Sequence, residues 1–194
     1  EINLSDKISK FFPEFDAYEK REITIQNLLT HTSGFKNWLP FYLIADSKFQ
    51  ISDIIANEPL ENSVNEKVVY SDLNFLMLGF LIEKVFGKTL DEIAKAEIFE
   101  HLNLQSTFFN PPKNLQKEIA ASENGNAFEK QTCEELGYLK SSANANATDE
   151  IPNPKSEFRH RTIWGEVHDN NCYFMDGVAG HAGLFSNAFE TFKI

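Results

Sequence analysis

The chain has 194 residues, of which 42% are hydrophobic and 13% aromatic. This composition excludes a disordered chain and supports one packed domain, or one domain with a sizeable insertion. The formal net charge of −11 argues against nucleic acid as a partner, because a polyanion is repelled by an acidic surface. Two cysteines, Cys133 and Cys172, do not make a disulfide framework, although they leave a single bridge open.

The chain carries no segment that would target or anchor it. Its apolar runs fall short of the roughly 18 residues of a membrane-spanning helix, and its first residues lack the basic start and apolar core of a signal peptide. The chain begins with Glu1 rather than Met and ends abruptly at Ile194. We therefore expect it to be a piece of a longer protein.

Short helical stretches are predicted before residue 60. The segment 24–29 begins at Thr24, which is a suitable N-cap. Residues 38–57 read as two helical pieces that are broken near Asp46, and Ser52 would cap the second piece.

The strongest helical pattern follows Ser71. Apolar residues recur at helical spacing as far as Val85, and Gly87 stands where a left-handed C-terminal cap belongs. A capping box over 89–92 then opens another helix. The side chains predicted on the inner face of that helix are Ile93, Ile98, Phe99 and Leu102.

The composition changes after residue 110. Ser, Asn, Ala and Glu dominate from there to about residue 154, which predicts a long surface insertion over about 110–160. One short helix is expected inside it, near 133–139. Residues 177–186 are rich in glycine and lead into a final helix that begins at Ser186.

Residues 67–79 place a phenol, a hydroxyl and a carboxylate where the chain turns into the long helix. Tyr70 ends a short apolar approach, and Ser71 and Asp72 begin the helix. Serine hydrolases keep proton-transfer groups at such corners. A tyrosine there is more commonly a packing residue, and Ser71 and Asp72 also suit an N-cap and a first-turn acid. Asn74, further into the first turn, faces either a cleft or solvent.

Three segments of the chain carry sequence motifs that occur together in one protein family. Residues 23–35 read ITIQNLLTHTSGF, and residues 70–72 read YSD before a leucine-rich helix that ends in glycine. The third segment has two parts, residues 165–171, which read GEVHDNN, and residues 177–186, which read GVAGHAGLFS. In this order they resemble three blocks of the serine β-lactamase-like hydrolases, which include class C β-lactamases, D-alanyl-D-alanine carboxypeptidases and related esterases.

The resemblance implies a fold and a reaction. The fold is the α+β β-lactamase/transpeptidase architecture, of which this chain would hold mainly the helical portion with long loops. The reaction is acyl transfer through a serine ester, in which a Ser-x-x-Lys motif supplies the nucleophile. The tyrosine of a Tyr-x-Asn motif acts as general base or as relay to the leaving group, and a Lys-Thr-Gly or His-x-Gly strand completes the pocket. No cofactor or metal ion is implied.

The family's functional residues transfer to five positions of this chain. Tyr70 matches the catalytic tyrosine, and Asp72 stands where the family usually has Asn. A carboxylate accepts a hydrogen bond from an ammonium but cannot donate one to a carbonyl, so Asp72 is expected to alter substrate preference. Asn74, His168 and His181 are predicted to contact the substrate.

Two further motif matches are interpreted as accidental. Ser33 and Lys36 satisfy Ser-x-x-Lys, but Gly34 is poor inside a helix, and in the family this block follows the nucleophile. We therefore expect the nucleophile upstream of residue 1. The His181 to Gly183 segment fits His-x-Gly but reads better as the loop before the final helix.

The histidines offer a competing metal-site hypothesis. Four side chains could be grouped around an ion: His160, His168, Asp169 and His181. Their spacing matches no compact zinc signature, so metal binding is not predicted. His31 and His101 read as local hydrogen-bonding or surface residues.

These patterns together predict part of a bacterial serine hydrolase of the cell envelope, periplasmic or extracellular. Its partner would be a small-molecule or peptide substrate: a peptidoglycan-type D-amino-acid peptide, a β-lactam or a small ester. The 194 residues themselves are expected to be inactive, because the serine that is acylated is missing. Two alternatives stay open: a non-catalytic relative that binds peptidoglycan peptides, and a module fused to another envelope enzyme domain.

Overall fold

The computed structural model describes residues 1–139, 155 and 157–194. The α-helices of this part are α1 (Ile25–Leu29), α2 (Phe41–Ile44), α3 (Ile51–Asn57), α4 (Asp72–Phe86), α5 (Leu90–Ala94), α6 (Ala127–Glu135), α7 (Asn170–Phe174) and α8 (Ala188–Thr191). Turns of 3-10 helix cover Ile8–Lys10, Pro13–Phe15, Tyr18–Glu22, Lys48–Gln50 and Lys113–Glu118, and a π turn covers Lys95–Phe99. Over the described ranges, no helix has the length and apolar character to cross a bilayer.

The strands are short and pair in twos. They are β1 (Phe108–Phe109), β2 (Glu123–Asn124), β3 (Thr162–Ile163) and β4 (Leu184–Phe185). Strand β1 pairs with β4, and β2 pairs with β3, both antiparallel. The described chain is therefore mainly helical with little sheet, which confirms the predicted helical portion.

Residue contacts divide the chain into two compact units. Unit 1 takes Glu1–Leu39, Phe49–Ala94 and Ala179–His181, whereas unit 2 takes Pro40–Lys48, Lys95–Val178 and Ala182–Ile194. Unit 1 contains α1, α3, α4 and α5. Unit 2 contains α2, α6, α7, α8 and the four strands. The prediction of one partial domain over 1–194 stays a prediction.

Helix α4 forms the centre of unit 1. Its buried face packs against α1, α3 and α5 and carries Leu73, Leu76, Met77 and Leu81. Full burial of each such side chain contributes about 1.5–3 kcal/mol, so this face is a main source of stability. Gly87 ends the helix with φ +66, which confirms the predicted left-handed cap. Val85, the last apolar residue of the helical pattern, is 46% exposed.

Cap positions were predicted with mixed success. The Thr24 hydroxyl accepts the Asn27 N–H at 3.2 Å and the Asn27 side chain accepts the Thr24 N–H at 3.0 Å, so Thr24 caps α1 as predicted. The break near Asp46 is also confirmed, because α2 ends before it and α3 begins after it. Ser52 is not a cap: the turn Lys48–Gln50 leads directly into α3, which already begins one residue earlier.

The π turn Lys95–Phe99 directly follows α5. It explains an error in the predicted inner face of the helix that opens at residues 89–92. Ile93 and Phe99 are buried, as expected. Ile98 and Leu102 are 41% and 38% exposed, so their predicted inner positions are wrong. A π turn inserts a residue into the helical repeat and rotates the side chains around it, which no periodic pattern anticipates.

The predicted surface insertion contains ordered elements as far as residue 139. They are the turn Lys113–Glu118, strand β2 and helix α6. Helix α6 begins at Ala127 rather than near Cys133, so the predicted helix is misplaced. Gly137, with φ +79, lies just beyond its end and stops it. Residues 140–154 and 156 of the predicted insertion lie outside the described residues.

Both cysteines of the chain are buried free thiols, so the bridge that the sequence left open is not formed. The Cys133 sulfur lies 3.3 Å from the Tyr42 hydroxyl oxygen, and the Cys172 thiol donates to the Ala182 carbonyl at 3.3 Å. Burial raises the pKa of both thiols. Neither thiol is therefore activated as a nucleophile.

Candidate functional site

Tyr70 stands directly before α4 and is 65% exposed. Ser71 is buried at the N-cap position, but its hydroxyl donates to the Lys36 carbonyl at 2.5 Å instead of capping the helix. Asp72 is the first residue of α4, and its N–H donates to the Asn37 carbonyl at 2.9 Å. The Ser71 hydroxyl and the Asp72 N–H are thereby tied to the backbone carbonyls of residues 36 and 37, while the Tyr70 side chain stays largely exposed.

A network of hydrogen-bonded polar side chains lies beneath this corner. The Asn74 side chain has no exposed surface: its Oδ1 accepts from the Ser33 hydroxyl at 2.6 Å, and its Nδ2 is 3.0 Å from His31 Nδ1. The His31 ring packs against the Tyr70 ring with centroids 4.8 Å apart. Asn74 therefore lies below the surface, which differs from the substrate contact that the sequence predicted. The His31 ring is hydrogen-bonded, but to Ser71 and Asn74, which follow it by about forty residues, so the expectation of a local role is wrong.

Ser33 is poorly placed for nucleophilic attack. It is completely buried, and its Oγ accepts from the Phe35 N–H at 3.2 Å while donating to the amide below the corner. Lys36, the partner in the Ser-x-x-Lys match, forms an ion pair with Glu58. A nucleophile needs both access and a nearby base, so the geometry supports the interpretation that this match is accidental.

His181 reaches the same corner through a close glycine contact. A Cβ on Gly180 would lie 2.0 Å from the Phe75 carbonyl oxygen, and one on Gly79 would lie 3.2 Å from the Gly180 Cα. Because neither glycine has a side chain, the loop lies directly on α4. A His181 ring nitrogen and an Asp72 carboxylate oxygen consequently lie within 4.8 Å of each other. Unit 1 thus brings Tyr70, Asp72 and His181 to one end of α4.

His168 belongs to unit 2 and is paired there. Its Nε2 lies 2.6 Å from a Glu123 carboxylate oxygen. Its backbone carbonyl accepts from Arg159, which is only 7% exposed and also donates to Val167 O at 2.6 Å and Asn170 Oδ1 at 2.8 Å. Sequence reasoning missed Arg159, because an arginine outside a motif gives no sign of burial. This residue fixes the backbone that carries His168.

The remaining features of the third block have structural explanations. The Asp169 carboxylate caps α7 by accepting the Cys172 N–H at 2.6 Å. Residues 181–183 lie outside the strands and precede β4, which agrees with the loop interpretation of the His-x-Gly match. Helix α8 begins at Ala188, with Asn187 as its N-cap, and does not begin at Ser186 as predicted.

Unit 2 also buries a cluster of titratable groups that the sequence did not reveal. Tyr42 is 1% exposed, and its hydroxyl is hydrogen-bonded to the Glu129 carboxylate and lies 3.3 Å from Cys133 Sγ. Burial raises the pKa of Glu129 from 4.5 to about 7, and Asp169 adds to the rise, whereas the Tyr42 hydrogen bond and Arg159 oppose it. Burial also raises the pKa of Tyr42. The protonation state of this buried carboxyl is therefore expected to affect the stability of unit 2.

A large polar groove of unit 1 lies away from the predicted residues. It has a volume of about 740 Å³ and includes Thr24, Gln26, Thr32 and Asn65 in its lining. None of the five residues predicted from the sequence belongs to that lining. Groove size therefore does not identify the site, and the convergence of Tyr70, Asp72 and His181 is the stronger argument.

Comparison with known proteins settles the family. The family model described as Beta-lactamase matches residues 1–189. The chain belongs to the beta-lactamase family. Its Tyr70 corner therefore lies within a beta-lactamase-family domain, and the resemblance inferred from three sequence blocks is confirmed.

Family members from two bacteria align with almost the whole chain. A protein of Escherichia coli (strain K12) named "Putative D-alanyl-D-alanine carboxypeptidase" is 34% identical over 203 residues. An "N-acetylmuramyl-L-alanine amidase" of Bacillus subtilis (strain 168) is 30% identical over 203 residues. Each alignment covers 96% of this chain and 42% of the relative. The chain thus spans less than half the length of the curated relatives it matches.

Solved structures show the same fold. A class C beta lactamase from Rhodobacter sphaeroides matches with a TM-score of 0.65 at 15% identity, covering 99% of this chain and 43% of the other. A beta-lactamase/D-alanine carboxypeptidase from Pseudomonas syringae matches with a TM-score of 0.64 at 16% identity, covering 99% and 42%. The predicted β-lactamase/transpeptidase-like fold is therefore confirmed.

Proposed function

We propose that this beta-lactamase-family chain is part of a bacterial envelope serine hydrolase that cleaves amide or ester bonds through an acyl-enzyme. The proposed substrates are peptides ending in D-amino acids, with β-lactams and small esters as further substrates of the same machinery. The name of the Escherichia coli relative supports this substrate class. The Bacillus subtilis relative, named as an amidase, supports cleavage of an amide bond in the cell wall.

The observation that carries the proposal is the exposed phenol at the start of α4. A general base must be reachable by the group it deprotonates and must be held in one orientation. Tyr70 is 65% exposed, and its ring rests on the His31 ring. Tyr70 stands two residues before the first residue of the 15-residue helix α4.

Each predicted site residue has a role in this proposal. Tyr70 accepts the proton of the attacking serine, and Asp72 accepts a hydrogen bond from the ammonium of the lysine that accompanies that serine. His181, beside Asp72, and His168, paired with Glu123, are proposed to contact the substrate. Asn74 supports the corner from below, because its amide is already engaged by Ser33 and His31.

The 194 residues alone are proposed to be inactive, because the only Ser-x-x-Lys match has a buried serine. The test is turnover of nitrocefin and of a p-nitrophenyl ester by the purified chain. We expect none above background, with or without Ser33→Ala. Steady turnover that Ser33→Ala abolishes would contradict this proposal and make Ser33 the nucleophile.

The proposed hydrolase activity is tested on the protein expressed from its complete reading frame. We expect fluorescent penicillin to label it, and a peptide ending in D-Ala-D-Ala to release D-alanine. Tyr70→Phe should slow acylation by about 10²–10⁴-fold, the usual contribution of a positioned general base, while Tyr138→Phe in unit 2 should have no effect. Peptide binding without acylation or turnover would instead indicate the non-catalytic relative, and a second hydrolase domain in the reading frame would indicate a fusion.

A further inference from the structure

His31 contacts three consecutive residues of the Tyr70 corner. Its backbone carbonyl accepts the Val69 N–H at 2.9 Å, and its Nδ1 accepts the Ser71 N–H at 3.2 Å. Between these two bonds its ring packs against the Tyr70 ring, with centroids 4.8 Å apart and planes tilted by 40°. One residue therefore holds the backbone on both sides of the phenol and the phenol itself.

The proton positions in this network follow from its donors and acceptors. The Ser33 oxygen already accepts the Phe35 N–H, so its own proton goes to Asn74 Oδ1. That contact turns the amide so that Nδ2 donates to His31 Nδ1, where the Ser71 N–H also points. A ring nitrogen that accepts from two donors carries its lone pair, so the proton of the neutral imidazole resides on Nε2.

Burial separates the rigid part of the network from the exposed part. Ser33, Ser71 and Asn74 are completely buried, whereas His31 is only partly buried and Tyr70 is 65% exposed. His31 also adopts φ +56, a left-handed conformation that a residue other than glycine keeps only where its surroundings hold it. The imidazole is thus fixed from below by buried hydrogen bonds and offers its face to the phenol.

We infer that His31, as the neutral Nε2–H tautomer, is a positioning residue that holds Tyr70 in the orientation needed for proton transfer. This inference rests on the proposed function of Tyr70. His31 does not itself exchange a proton with the substrate. It acts by restricting the phenol, so its loss lowers the rate of the chemical step more than it weakens substrate binding.

The first experiment measures the tautomer independently of activity. The protein from its complete reading frame is labelled with 15N-histidine, and the His31 signals are assigned by their loss in His31→Asn. Long-range 1H–15N spectra are expected to show a protonated Nε2 and an unprotonated Nδ1 at neutral pH. A protonated Nδ1 would overturn the inference, whether or not the protein is an enzyme.

The second experiment measures positioning with His31→Asn. Asparagine tolerates the left-handed backbone and places an amide oxygen near the Nδ1 position, but it lacks the ring that contacts Tyr70. Rates are normalised to active sites titrated with fluorescent penicillin, so that a loss of folded protein is not counted. We expect kcat to fall about 10–100-fold with KM changed less than threefold, and the ring-proton shifts of Tyr70 to move toward those of a free tyrosine.

Two control variants separate the possible outcomes. His101→Asn removes a histidine whose Nδ1 bonds the Ala96 carbonyl in unit 2, and it should leave kcat unchanged. His31→Asn should cost little further activity when added to Tyr70→Phe, because a positioning residue has no effect once the phenol hydroxyl that it positions is gone. An unchanged kcat and unchanged Tyr70 shifts in His31→Asn would overturn the positioning role. If Tyr70→Phe alone is fully active, the proposed function of Tyr70 fails, and the tautomer and ring shifts still decide the structural claim.

Discussion

Replacing Asn74 with Ala tests how much the buried network beneath Tyr70 contributes to stability. The substitution removes two hydrogen bonds, from Ser33 Oγ at 2.6 Å and to His31 Nδ1 at 3.0 Å. It also leaves the Ser33 hydroxyl proton buried without an acceptor. Loss of the bond to His31 costs about 1 kcal/mol, and loss of the bond from Ser33, which leaves a buried donor unsatisfied, costs about 1–3 kcal/mol. We expect the free energy of unfolding to fall by about 2–4 kcal/mol.

The matched control is Asn57→Ala. Both asparagines lie in helices of unit 1, and both side chains make hydrogen bonds, but Asn57 is exposed and bonds only the Asp53 carbonyl at 2.8 Å. It should cost less than about 0.5 kcal/mol. Urea titrations followed by tryptophan fluorescence, to which Trp38 of unit 1 and Trp164 of unit 2 both contribute, give both values. Equal costs for the two variants would refute the claim that the buried amide stabilises the corner.

Three further predictions follow from single contacts. Thr24→Ala removes the capping box of α1 and should lower stability by about 0.5–2 kcal/mol in the same urea titration. Gly180→Ala places a Cβ 2.0 Å from the Phe75 carbonyl and should both lower the melting temperature and slow acylation of the complete protein, since the loop that carries His181 must move off α4. Cys133 and Cys172 should react with a thiol reagent only after unfolding, because both are buried; fast reaction in native buffer would contradict this.

Local signals in the sequence were sufficient for several parts of the fold. The cap at Thr24 and the stop at Gly87 depend on side chains within a few residues of each helix end, so they could be predicted. The exposure of Ile98 and Leu102 could not, because it depends on a π turn that interrupts the helical period. The start of α6 was missed although Asn126, a preferred N-cap residue type, stands directly before it; its side-chain oxygen accepts from Arg159 and does not cap the helix.

The same limit applies to the site. The Tyr70 corner could be recognised because its motif is continuous in sequence, and its distance from the 23–35 block did not matter. That Asn74 points inward is a tertiary fact: the amide turns toward Ser33 and His31, which precede it by about forty residues. Arg159 was missed because its hydrogen bonds run to two backbone carbonyls and to the side chains of Asn126 and Asn170, a set of partners that no motif in the sequence marks.

Glu129 yields a pH prediction whose sign follows from its surroundings. Its pKa rises to about 7 in the folded chain from an ordinary value of 4.5, so the unfolded chain loses this proton first as the pH rises. Its contribution therefore lowers the free energy of unfolding between about pH 4.5 and pH 7, by at most about 3 kcal/mol, and is constant outside that range.

Glu129→Gln keeps an acceptor for the Tyr42 hydroxyl and removes the charge, so it should match the wild type at pH 4 and be more stable at pH 8. Glu135→Gln, an exposed change in the same helix, should leave the wild-type pH dependence intact. Urea titrations at half-unit pH steps measure all three proteins. If wild type and Glu129→Gln keep a constant difference from pH 4 to pH 8, then Glu129 ionises with the same pKa in the folded and in the unfolded chain. Its burial beside Tyr42 would then not raise the pKa as argued, because a carboxyl that ionises alike in both states makes no contribution that changes with pH.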